Sequence, residues 1–244
     1  MRDHDSQLRA VFFDLDDTLY DHSLAAEIAT RSAMALDEGL RGVSFANYFS
    51  RSQALLEVMH PSVVSGQISF AEARNRRYEL LATEFGGDRS RAVTQAQTHL
   101  TTYRKSERAV PGAHELLTAL RQAGYPLFIV SNNTRHEQEG KLLRLGLSHF
   151  FDALILSGDH AFSKPDPRLF QAALQIAQVS AAQAVHVGDS YASDVIGAQS
   201  AGVRAIWFNR DGKLAPKNSF GALQIVNSFT DHEQTLKEIV SNSR

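Results

Sequence analysis

Residues 11–20, VFFDLDDTLY, carry an apolar run straight into three aspartates, Asp14, Asp16 and Asp17, broken by a single leucine. A strand buried on both faces reads as a continuous apolar segment, and four later stretches share that pattern: YPLFIVS, DALILS, AVHVGDS and VRAIWFN. Strands covered on both faces belong to a parallel sheet. Helical segments lie between them with matching punctuation, Gly124 and Gly146 at C-cap positions and Pro167 just after Asp166 as a first-turn proline follows an N-cap. The alternation predicts an α/β fold, a doubly wound parallel sheet with right-handed crossovers. LQIVNSF adds an edge strand before a last helix ending near Ser241.

Between Tyr20 and Pro111 the strand signals vanish and four helical segments follow one another. Phe45, Tyr48, Phe49, Leu55, Leu56 and Met59 recur at helical spacing, as do Phe70, Leu80, Leu81 and Phe85, and Ser69 with Glu72 makes a capping-box pattern. The expectation is an all-helical domain over residues 21–107, inserted after the first strand and packed as a small bundle. Residues 1–20 and 108–244 then form the sheet domain. The short basic cluster Arg74, Arg76 and Arg77 reads as a solvated helix face.

Lys and Arg number 25 against 27 Asp and Glu, a formal charge of −2, so no global basic field exists to hold a nucleic acid polymer or an anionic membrane. A small molecule is the expected partner. Cysteine is absent, which excludes disulfides, thiolate zinc sites and a cysteine nucleophile together. MRDHDSQLRA lacks the apolar core of a secretory signal and no apolar run is long enough to span a bilayer, so the expected location is the cytoplasm, as a monomer or homodimer.

In open parallel sheets ligands bind outside the carboxyl ends of the strands. The polar residues that end the strands here are Asp14, Asp16 and Thr18 after the first, Ser131 and Asn132 after the second, Lys164 beyond the third, and Asp189 and Asp194 at the fourth. Singly, each has an ordinary reading: a strand-end Asp as turn or cap, Ser-Asn-Asn as turn chemistry, Lys164 as a surface lysine. Together, the four carboxylates on one edge would repel one another and raise each other's pKa unless a cation neutralised them. Oxygen-only ligands point to Mg²⁺, which favours phosphate as a co-ligand.

Four segments in this order resemble the motifs of the haloacid dehalogenase superfamily: DLDDT its Asp-x-Asp-x-Thr motif, VSNN its Ser/Thr motif, KPDP its lysine motif and GDSYASD its Gly-Asp-x(4)-Asp motif. The likeness runs from Val11 to about Trp207, and the helical insert resembles that superfamily's C1-type cap. The resemblance implies a phosphoric monoester hydrolase. Asp14 is then the nucleophile that forms an aspartyl-phosphate, and Asp16 protonates the leaving oxygen and later deprotonates the hydrolytic water. It further implies Mg²⁺ on Asp14, Asp189 and the Asp16 carbonyl, with Asp194 direct or through water, while Lys164, Ser131, Thr18 and the Asn132 amide hold phosphoryl oxygens.

Three alternatives compete. A carbon–halogen hydrolase of the same superfamily needs no acid at position 16, and this chain has one. A phosphoglucomutase-type enzyme shares both aspartates, but its motif more often continues with Gly where Asp17 stands. A non-catalytic binding module would be expected to lose Asp14, Asp16 or Lys164, and none is lost; a signalling receiver domain is about half this length. FDLDDTLYDH and VGDSYASDVIGAQSAGVRAIWFNR look most like capped phosphatases acting on nucleotides, flavin mononucleotide or N-acylneuraminate 9-phosphate, making nucleotides, flavin mononucleotide and sugar phosphates the expected substrates. Tyr20, His22 and Arg31, at the entry to the helical insert, stay open between leaving-group contact and hinge packing.

Overall fold

The computed structural model describes residues 7–216 and 223–241. Residues 1–6, where much of the reading of the amino terminus falls, lie outside the described residues. Two compact units emerge: one runs to Asp21 and resumes at Ala109, the other is His22–Arg108. Among the described residues no helix is long and apolar enough to cross a membrane.

The first unit is built on β1 (Ala10–Phe13), β2 (Leu127–Ser131), β3 (Ala153–Leu156), β4 (Ala184–Gly188), β5 (Arg204–Phe208) and β6 (Gln224–Val226). They form one sheet in the order β3-β2-β1-β4-β5-β6, and every pairing is parallel. The five apolar runs are the five long strands, and LQIVNSF supplies the edge strand. Both faces are buried because side chains alternate across the strand. Phe12, Val130, Ile155 and Trp207 join a core with Leu169 and Phe170 of α7 (Pro167–Ala177), while Val11, Phe13, Ile129 and Val187 on the opposite face are also fully buried. Each such side chain stabilises the fold by about 1.5–3 kcal/mol. On the far side α5 (Ala113–Gln122) packs with α9 (His232–Val240). Asp166 caps α7 by accepting from the Arg168 amide at 2.9 Å, with Pro167 at the first helical position.

The second unit contains α1 (His22–Met34), α2 (Phe45–Val64), α3 (Phe70–Phe85) and α4 (Ala92–Lys105), packed as α1 on α4, α2 on α3 and α3 on α4. Tyr48, Leu55, Tyr78 and Leu81 form its core. The Ser69–Glu72 capping box is present in both directions at the start of α3.

Two expectations for this unit are corrected. Arg77 is not on a solvated face; it is buried, as are Ala73 and Leu81 one turn to either side, because the i, i+4 row of α3 that packs on α4 passes through it. Its Nη2 donates to His99 Nε2 at 3.2 Å. Leu80, expected inside the bundle, is 39% exposed, since it lies off that row. At the entry to the unit, His22 Nδ1 pairs with Tyr103 Oη at 2.6 Å, and Arg31 is solvent-exposed, bonded to Glu27 and seated 3.7 Å from the Phe45 ring centroid.

Candidate active site

The chain turns from β1 to β2 and β3 on one side and to β4, β5 and β6 on the other, so the strand order reverses between β1 and β4. A crevice opens beyond the strand ends at such a switch point. Asp14 follows β1 directly and is anchored by its amide to the Val187 carbonyl of β4 at 2.9 Å. After it the backbone folds back tightly, with the Leu15 carbonyl accepting from Leu19 and Tyr20, and Asp17 adopts φ 60°, a region Asp tolerates better than most residues with a side chain.

Lys164 sits at the centre. Its ammonium, with the residue only 5% exposed, donates to Asp14 Oδ1 at 2.6 Å, Asp194 Oδ1 at 2.6 Å and the Val130 carbonyl at 2.8 Å. Asn132 holds Lys164 in place through its backbone: Asn132 Nδ2 donates to the Lys164 carbonyl and Asn132 Oδ1 accepts from the Lys164 amide, both at 2.8 Å. Asp194 also accepts from the Ser190 amide at 2.9 Å and from His186 Nε2 at 2.9 Å. It is delivered by a π-helical turn, Tyr191–Ile196, that leads into the short helix α8 (Gly197–Ser200).

Asp14, Asp189 and Asp194 each offer a carboxylate oxygen within 4.8 Å of the others. Burial, then the neighbouring carboxylates, push the Asp189 acid up to about 8. Burial likewise raises Asp14, against the pull of Lys164. Burial alone would raise Asp194 too, but Lys164 and the His186 hydrogen bond hold it well below the usual carboxylate range. Three converging hard oxygen donors, two with their charged forms disfavoured, fit a small divalent cation.

Asp16 stands outside that trio. Its Oδ1 accepts from Lys141 Nζ at 2.5 Å and its Oδ2 from Gln138 Nε2 at 3.0 Å, and Gln138 Nε2 also donates to Ser131 Oγ at 2.8 Å. Both donors lie on α6 (Arg135–Arg144), which follows the Ser-Asn-Asn turn. Ser131 is buried at the end of β2, and Thr18 is buried with its hydroxyl unpartnered. Thus Asp14, Lys164, Asn132, Asp189 and Asp194 are brought together, with Asp16 and Ser131 joined through Gln138. Sequence reading missed Gln138, Lys141 and His186. The first two share a face of α6 with buried Leu142, and that face reads as solvated until Asp16 is placed against it.

Residues 8–202 match the haloacid dehalogenase-like hydrolases. The chain belongs to that family. This hydrolase is 30% identical over 240 residues to a glyceraldehyde 3-phosphate phosphatase of Methanothermobacter thermautotrophicus, covering 96% of this chain and 100% of the relative. It is 32% identical over 246 residues to a phosphoserine phosphatase of Thermus thermophilus, covering 90% and 98%. The magnesium-bound structure of YfnB from Bacillus subtilis superposes on the hydrolase with a TM-score of 0.73 at 25% identity, covering 95% of this chain and 99% of the other.

Proposed function

We propose that this hydrolase is a Mg²⁺-dependent phosphatase of a small, soluble phosphomonoester in the cytoplasm, acting through an aspartyl-phosphate on Asp14, with the helical unit as the cap that selects the leaving group. One observation carries the reading: Lys164 joins Asp14 to Asp194 at 2.6 Å on each side, within the trio that Asp189 completes, and a second acid, Asp16, follows two residues after Asp14. That combination meets the needs of an anionic, kinetically inert ester. Carbon–halogen cleavage has no use for the second acid.

Asp14 attacks phosphorus as the bond to the leaving oxygen breaks, and Asp16 supplies the proton that oxygen takes. Water then attacks phosphorus, gives a proton to Asp16, and the Asp14–phosphorus bond breaks. Lys164 orients the Asp14 carboxylate and offsets charge on the transferring group; Ser131, Thr18 and the Asn132 amide are the further proposed phosphoryl contacts. Asp14, Asp189 and the Asp16 carbonyl, with Asp194 beside them, would hold Mg²⁺, which would neutralise phosphoryl charge. The names of the relatives, glyceraldehyde 3-phosphate phosphatase and phosphoserine phosphatase, support a small ester of three-carbon scale, to be set beside a nucleotide, flavin mononucleotide and sugar phosphate.

The test is phosphate release from a panel of these esters with Mg²⁺ and with chelator. Metal-dependent release that disappears in Asp14→Asn is the expected result. Undiminished Mg²⁺-dependent turnover in that variant overturns the mechanism.

A further inference from the structure

Each aspartate of the Asp14–Asp16 pair has a buried lysine of its own. Lys164 serves Asp14, and Lys141, 4% exposed, serves Asp16. We propose that Lys141 and Gln138 are positioning residues for the proton-transfer steps: from one face of α6 they grip the Asp16 carboxylate by both oxygens, aiming it at the leaving oxygen and then at the hydrolytic water. The inference rests on the phosphatase reading.

A carboxylate held by one oxygen turns about its Cβ–Cγ bond, whereas one held at both by residues a single helical turn apart does not. The orientation of Gln138 is forced. Its amide nitrogen faces two acceptors, Asp16 Oδ2 and Ser131 Oγ, while its Oε1 is left buried without a partner. Turned over, the amide oxygen could take the Ser131 hydroxyl proton but would be set against the Asp16 carboxylate oxygen, so the carboxylate decides the orientation. The fold does not need this arrangement for stability, since a buried lysine–carboxylate pair loses much of its attraction to desolvation and an unsatisfied buried acceptor is unfavourable. Nor does the turn after β1 depend on it, being closed by backbone bonds to the Leu15 carbonyl. Lys141 also lies 5.2 Å from the Tyr20 ring centroid, so the lysine is walled in on a second side. What the arrangement does accomplish is aim, which acid–base catalysis requires.

The test compares p-nitrophenyl phosphate, whose leaving group departs without a proton, with glycerol phosphate, whose alkoxide needs one. In Lys141→Met, phosphorylation of Asp14 by the aryl ester proceeds while water attack lags, so rapid mixing should show a nitrophenol burst approaching one equivalent per site, followed by slow turnover. For glycerol phosphate kcat should fall roughly 10- to 100-fold with no burst and little change in KM. Lys141→Arg should restore part of the loss. If Lys141→Met does not fold, judged by its thermal melt, Gln138→Met is measured the same way with the same burst expected. Parallel losses on both esters without a burst, a KM rise at constant kcat, or wild-type kinetics overturn the inference while leaving the phosphatase reading intact. A wild-type protein inert toward every ester sinks both.

Discussion

A β-carbon on Gly188 would sit 2.3 Å from Asp194 Cγ, a distance no packed pair of carbons adopts. The neighbour has no room to give way, because its carboxylate is pinned by Lys164, His186 and the Ser190 amide. The glycine before Asp189 is therefore required by the approach of the second carboxylate to the end of β4. Gly188→Ala should lower stability by about 1–3 kcal/mol in urea denaturation, the usual range for overpacking a rigid site, and should weaken Mg²⁺ binding measured by calorimetry. Unchanged metal affinity would show that Asp194 has no part in holding the ion. Asp14, Lys164, Asp189 and Asp194 were picked out in the sequence only jointly, as polar residues on successive strand ends, and the structure brings them together. His186 was hidden because an alternating position inside an apolar strand gives no sign that its ring reaches Asp194.

Single elements differ in how openly their sequence shows what they touch. The strands were legible because burial on both faces leaves a continuous apolar run. Helix α6 was not, since Gln138 and Lys141 look solvent-facing until Asp16, more than a hundred residues away in sequence, is placed against them. Helices α3 and α4 hide a polar interior in the same way. There His99, on α4, accepts from Arg77 and shares a hydrogen bond with Tyr78 Oη at 2.8 Å. Burial, then Arg77, Arg74 and His22, hold the His99 pKa well below its ordinary value. Below a pH of about 6.5 the unfolded chain takes up a proton at this position that the native helices refuse, so stability should fall by up to ~1.4 kcal/mol for each further pH unit. Above that pH both states are neutral and the contribution is constant. Urea titrations of wild type and His99→Gln between pH 7 and 5 should therefore converge on the acid side, the wild type losing more; parallel curves would mean that His99 takes up a proton in the folded helices too.

At the scale of the whole molecule, the βαβ alternation with a helical interruption was enough to predict a doubly wound parallel sheet, because parallel strands joined by helices leave few topologies, while the order β3-β2-β1-β4-β5-β6 came from the structure. That order then places three carboxylates from two neighbouring strand ends in one small volume, and the fold bears the consequence. The raised pKa of Asp189 means that the folded protein disfavours its ionised form: from the ordinary carboxylate range up to about 8 the native state keeps a proton that the unfolded chain has released, and stability declines with rising pH across that interval. A bound cation that prefers the native state reverses the loss by mass action, adding about 2.7 kcal/mol at a concentration a hundredfold above its dissociation constant. Asp189→Asn removes the repulsion and the ligand together. At neutral pH the variant should melt at a higher temperature than wild type in chelator and should gain little from Mg²⁺, whereas the wild type starts lower and gains much. A variant less stable than wild type in chelator would mean that the Asp189 carboxylate stabilises the fold by more than its burial among other carboxylates costs.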